Sequence, residues 1–194
     1  MKTLLVGIGA KARQGKTTAA LAMQQLHPQR IKLYALADAL KEECAAKHGQ
    51  LLEEFRRVHD REPKPPKEDP VYGWSEILQW YGTDVVRARD PDYWIRKLHE
   101  RIQQDAPEVA VITDVRFPNE GDFVKLRGGY LVEVLRKNPD GSRYVDPGRD
   151  PRHISELAMD DYGRWDFILI AKDGDVERLQ QKAIVVLRQI LGEL

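Results

Sequence analysis

The sequence predicts a three-layer α/β protein: a parallel sheet of about five strands with helices on both faces. Three observations carry this. Short apolar runs without in–out alternation recur along the chain, as strands buried on both faces require. Stretches with helical spacing separate them. A basic, glycine-containing loop joins the first apolar run directly to the first helical stretch.

The first strand is Lys2–Ile8, "KTLLVGI". Residues 17–26 follow as a helix, with Ala19, Leu21, Ala22 and Leu26 available for one face. "RIKLYALAD" (30–38) reads as the second strand, placing Asp38 near its carboxyl end, and "ALKEECAAKHGQLLEEFRRV" continues as helix. Pro63, Pro65, Pro66 and Pro70 make 60–73 an exposed loop. Trp74, Ile77, Leu78 and Tyr81 return to helical spacing. In "RDPDYWIRKLHERI", Asp90 suits a cap, Pro91 the first helical position, and Trp94 or Ile95, Leu98 and Ile102 the buried face. "EVAVITD" (108–114), "GGYLVEVLR" (128–136) and "WDFILIAKDG" (165–174) supply three more strands. Val176, Leu179, Ala183, Val186/Leu187 and Ile190 mark a last amphipathic helix, which could pack on the sheet or pair two copies as a homodimer.

These elements organise a single domain, with its core in 1–40 and 108–194 and a helical insertion over 41–107 placed to cover a substrate. Residues 137–153, turn-rich and carrying Arg143, Arg149 and Arg152, read as a mobile lid. The chain has 31 basic and 31 acidic residues, so a broad field attracting nucleic-acid polymers or anionic membranes is excluded. The single cysteine, Cys44, fits a buried helix position and a reducing compartment. With no apolar stretch of the ~20 residues needed to span a bilayer, a cytoplasmic protein is expected.

The loop is "GAKARQGKTT". It matches the phosphate-loop pattern G-x-x-x-x-G-K-[ST] at Gly15, Lys16 and Thr17, with Ala10 at the first glycine position and Gly9 one residue earlier to supply a permissive turn. Such a loop turns successive backbone N–H groups into one concavity at a helix N-terminus. Ala10, Lys11, Ala12, Arg13, Gln14, Gly15, Lys16, Thr17 and Thr18 are therefore expected to hold the phosphates of a nucleotide, which the resemblance given below implies is ATP. Lys16 would reach the β/γ-phosphates, and Thr17 would hold Mg²⁺. Asp38 and Asp114, both at expected strand ends, are candidates for a magnesium-bound water, each with a capping role as the plain alternative. Arg116 in "ITDVRFPNE" suits anion capture, with a surface salt bridge as the alternative. Glu120 could read a sugar or base.

The phosphate loop, "ALADALK", "YGTDVVRARDPDYWIRKL", "ITDVRFPNE" and "RHISE" occur in this order over residues 3–175. Together they resemble the deoxynucleoside monophosphate kinases of tailed bacteriophages, a branch of the nucleoside monophosphate kinase-like P-loop proteins. The resemblance implies transfer of the ATP γ-phosphate to a deoxynucleoside monophosphate, with Mg²⁺. It puts Asp38 and Lys41 near acceptor or metal, Arg87 and Arg116 on the acceptor phosphate, and Arg136 at the opening of the lid. His153 and Glu156 stand at its close. The chemistry agrees: a phosphate acceptor is already largely dianionic at neutral pH, so arginine forks are needed and a general base is not. Two other readings stand beside it, a kinase for another small metabolite such as dephospho-coenzyme A, and a non-kinase P-loop switch or assembly ATPase that binds partners. Against the last, "AKDG" is no guanine reader and "AVITDV" lacks a terminal Asp-Glu.

Overall fold

The computed structural model describes residues 2–63, 75–147 and 151–193. They form two compact units, Met1–Ala35 with Arg101–Leu194, and Leu36–Glu100.

The first unit is built on a five-stranded sheet of order β2-β3-β1-β4-β5, comprising β1 (Leu4–Gly9), β2 (Ile31–Tyr34), β3 (Val109–Val115), β4 (Tyr130–Lys137) and β5 (Phe167–Lys172). Every pairing is parallel. Around it stand α1 (Lys16–Leu26), α6 (Pro118–Lys125), the one-turn α7 (Ile154–Leu157) and α8 (Val176–Leu191). Val6 and Ile8 of β1 point into one core with Ala19, Ala20 and Met23 of α1 and Leu179, Ala183 and Leu187 of α8. Strand residues alternate faces, so Gly7 looks the other way, where a Cβ would meet Leu131 and Val124 of α6. Helices thus cover both faces, and α8 finds its partner on the sheet.

The second unit holds α2 (Leu36–Ala46), α3 (His48–His59), α4 (Ser75–Gln79), a π-helical segment (Trp80–Arg87) and the start of α5 (Tyr93–Asp105). Its core is aromatic. Phe55 packs edge-on to Trp80 at 5.6 Å, and Trp94 is 4% exposed with its indole N–H donated to the Gly82 carbonyl at 3.1 Å. Trp80, Tyr81 and Trp94 are therefore packing residues here. Trp74 lies outside the described residues, as does most of the proline-rich loop. Cys44 is buried, and burial pushes its thiol up to about 12.

Three local expectations are corrected. The second strand stops at Tyr34, and Asp38 sits in the first turn of α2 rather than at a strand end. Ala35, Leu36 and Ala37 are good helix formers, and four residues complete the pairing with β3. The helix after Pro91 begins at Tyr93, with a turn over 91 and 92. Between 80 and 87 the helix is wound as π rather than α.

Candidate functional site

β1 ends at Gly9 and α1 starts at Lys16, so the loop fills the gap between a central strand and a helix. Its curvature comes from two left-handed residues, Arg13 at φ 54° and Gly15 at φ 100°. Gly9 contributes differently from the turn expected of it. It stays in the strand, and its missing side chain makes room for Trp165, whose ring would lie 2.3 Å from a Cβ there. A Cβ on Gly15 would meet Leu179 at 2.6 Å. Glycine at 15 is thus fixed by both backbone angle and space.

Lys16 closes the loop on itself, donating from Nζ to the carbonyls of Ala10 (2.9 Å) and Lys11 (2.8 Å). Gln14 is almost fully buried. Its amide donates to the Tyr144 carbonyl (2.9 Å), and its oxygen accepts from the Arg136 backbone (3.3 Å). Thr17 and Thr18 follow in the first turn of α1. Alternating backbone hand, a helix N-terminus and a lysine within reach of the loop fit a chain of phosphates.

β3 delivers the second group of residues. Gly9 is in register with Val115 after a local irregularity in the pairing, so Asp114 and Arg116 flank the residue beside the loop's first turn. Glu120 is buried, and one carboxylate oxygen accepts the backbone N–H groups of Arg116 (2.7 Å) and Phe117 (3.1 Å). It caps the start of α6 and shapes the turn that presents Arg116.

The segment after β4 folds back over the loop. His153 caps α7 by accepting the Ser155 N–H at Nδ1 (3.2 Å). Glu156 then reaches two elements, accepting the Ala12 N–H (3.0 Å) and the Arg116 Nη1–H (3.0 Å). Lys11 pairs with Asp160 (2.8 Å). Arg136 caps the Arg13 carbonyl (3.0 Å), binds Asp173 and lies over the Tyr144 ring at 3.9 Å. Arg143 pairs with Glu133 at 3.2 Å, where burial raises the carboxyl above its usual range. Ala10, Lys11, Arg116, Glu133, Arg143 and Glu156 line one cleft.

The structure thus brings together the loop, Asp114, Arg116, Arg136, His153 and Glu156. Asp38 and Lys41, three residues apart on α2, and Arg87, which donates to the Pro91 carbonyl at 3.0 Å, belong to the second unit. Sequence reasoning missed Gln14 as a buried strut, Glu133 and Asp160. A carboxylate inside the apolar run of β4 was the available sign for Glu133. Of the lid, residues 138–142 form a tight turn closed by Asn138 N–H to the Ser142 carbonyl (2.9 Å), and Asp146 is buried. Arg149 lies outside the described residues. Among the described residues no cluster of three or more His, Cys, Asp or Glu could hold a metal, and no helix is long and apolar enough to cross a membrane. Magnesium in a nucleotide site is held by one or two protein oxygens with phosphates and waters, so such a cluster is not what that ion requires.

No family model matches the chain. Over 184 residues it is 29% identical to a protein of Acanthamoeba polyphaga mimivirus provisionally named as a deoxynucleotide monophosphate kinase, covering 86% of this chain and 88% of that one. Over 64 residues it is 42% identical to the deoxynucleoside-5'-monophosphate kinase of Escherichia phage T5, covering 30% of this chain and 26% of the phage protein. In structure it resembles the dephospho-CoA kinase from Campylobacter jejuni, with a TM-score of 0.57 at 14% identity over the full length of both chains. The chain therefore resembles viral deoxynucleotide monophosphate kinases in sequence, and its fold is that of the dephospho-CoA kinase.

Proposed function

We propose that this protein transfers the γ-phosphoryl group of ATP to a deoxynucleoside monophosphate, giving the diphosphate. The observation that carries the reading is the adjacency of two anion-binding parts in one cleft. The phosphate loop comes from β1, Arg116 from the end of β3, and Glu156 bridges them. One part suits a donor polyphosphate, the other an acceptor phosphate.

Binding of ATP exchanges the Lys16 contacts with Ala10 and Lys11 carbonyls for phosphate oxygens, with the loop N–H groups oriented in advance. Thr17 and Asp114 would hold Mg²⁺, which neutralises phosphate charge when bound. The Arg116 guanidinium orients the acceptor phosphate, whose own oxygen attacks, so no side chain has to remove a proton. Arg136 and the 137–153 segment exclude water around the transferring group.

Assay of ADP release with the four deoxynucleoside monophosphates, their ribose counterparts and dephospho-coenzyme A tests the proposal. Turnover of one or more deoxynucleotides in preference to dephospho-coenzyme A is expected. Turnover of dephospho-coenzyme A alone, or ATP binding with no acceptor phosphorylated, overturns it.

A further inference from the structure

We propose that Glu156 is a positioning residue: it holds the Arg116 guanidinium and the phosphate loop in one fixed relation, and it does not itself bind substrate. The inference rests on the reading of Arg116 as the acceptor-phosphate ligand and goes beyond it by naming what sets that arginine's geometry.

A carboxylate in a cleft for phosphates is out of place on charge alone, since it repels the ligand. It is also costly to bury unless fully paired. Glu156 is 6% exposed and lines the same cleft as Arg116. Its two oxygens are divided between partners on different elements: one accepts the Ala12 N–H inside the loop at 3.0 Å, the other accepts Arg116 Nη1–H at 3.0 Å. Glu120 meanwhile fixes the Arg116 main chain at 2.7 Å. Arg116 is thereby pinned at its backbone by one buried glutamate and at its tip by another. A guanidinium has five donors in a rigid fork, so anchoring one nitrogen sets the plane of the rest. Two of the other cations near the loop show the contrast. Lys11 meets Asp160 (39% exposed) and Arg136 meets Asp173 (39% exposed), partners that water can replace at small cost. The helix that bears Glu156 is itself braced, because His153 caps it and the Glu156 N–H bonds to the His153 carbonyl at 2.8 Å. The "H-x-S-E" spacing of 153–156 therefore encodes a cap and a clamp.

A double-mutant cycle on the full chain tests this. Glu156→Gln keeps the shape and an acceptor for Ala12 while removing the charge that holds Arg116. It is expected to lower kcat/KM for the acceptor by about 10-fold with KM for ATP little changed, because one charge-assisted contact is worth about one decade. In an Arg116→Ala background the same change is expected to cost less than about twofold, since the group it acts through is gone. Effects that multiply in the double variant, or an effect on ATP alone, overturn the inference. A readout independent of turnover separates it from the functional proposal. The Arg116 side-chain ¹⁵N resonance, assigned by its loss in Arg116→Lys, is expected to be sharp and slow to exchange in the wild type and to broaden in Glu156→Gln. An unchanged resonance overturns the clamp whether or not the protein phosphorylates any acceptor. Absence of turnover alongside the expected broadening would instead sink the choice of reaction and leave the clamp supported.

Discussion

Two glutamates, one in each unit, do the same chemistry to different ends. Glu43 on α2 accepts from the Tyr93 hydroxyl (2.5 Å), the Tyr81 hydroxyl (3.1 Å) and Lys47 (3.4 Å). It ties three helical segments of the second unit through side chains alone. Glu156 takes a backbone N–H of the phosphate loop and a guanidinium of the cleft. The first carboxylate holds helical segments of one unit to each other. The second joins the two parts to which the proposed phosphoryl transfer assigns donor and acceptor. Counting donors does not tell them apart. What the donors belong to does.

The comparison can be broken experimentally, beginning where the effect is largest. Lys16→Ala is expected to remove on the order of 10²-fold or more of phosphoryl transfer while the unfolding midpoint barely moves. Wild-type turnover in a folded variant would remove the loop from the mechanism. Arg116→Ala comes next. About a tenfold rise in KM for the monophosphate is expected, larger than any change for ATP. Equal changes in both would dissociate Arg116 from the acceptor, and with it the functional half of the contrast.

Smaller effects sharpen the structural half. Tyr93→Phe deletes one donor to Glu43 and is expected to cost about 1 kcal/mol in urea unfolding, with kcat/KM unaltered. Its pH dependence is the more telling part. Burial pushes the Glu43 carboxyl up, but the Tyr93 and Tyr81 hydroxyls and Lys47 outweigh it and hold the group below its usual range. A carboxyl depressed in the folded state contributes stability above its unfolded value of about 4.3, and that stability is lost as pH falls through the folded value. The gap between wild type and Tyr93→Phe is therefore expected to be full at pH 7 and to narrow below about pH 4. A gap that does not change with pH would mean that the Tyr93 hydroxyl acts on stability other than through the charge of Glu43.

Much of the first unit was legible in the sequence because its signals are local. Five apolar runs became five parallel strands, and the glycine–lysine–threonine triplet fell where a helix had to start. The failures have a common cause. "RIKLYALAD" carries no glycine or proline to mark where the strand stops, and apolar character alone does not separate a strand from a buried helical turn. The π-helical winding over 80–87 leaves no local mark either. Gly82 is needed there because a Cβ would lie 2.6 Å from Leu40, far off in sequence. In the cleft, residue type was readable but pairing was not. Glu156 and Ala12 are 144 positions apart, and Arg116 is 40 from Glu156, so only the fold makes them neighbours. The capping contacts of Glu120 are local by contrast, since Arg116 and Phe117 lie within the same turn of chain.

The indole of Trp165, seated where Gly9 gives up its side chain, also lines the cleft with Ala10 and Lys11. Two other tryptophans, Trp80 and Trp94, are sealed in the second unit at 7% and 4% exposure. An anion or base entering the cleft changes the polarity around Trp165 and leaves those two dry. The molecule thus carries its own optical reporter: emission colour should follow nucleotide entry without any attached dye. Gly9→Ala, by pushing the ring aside, should shift that colour before any ligand is added.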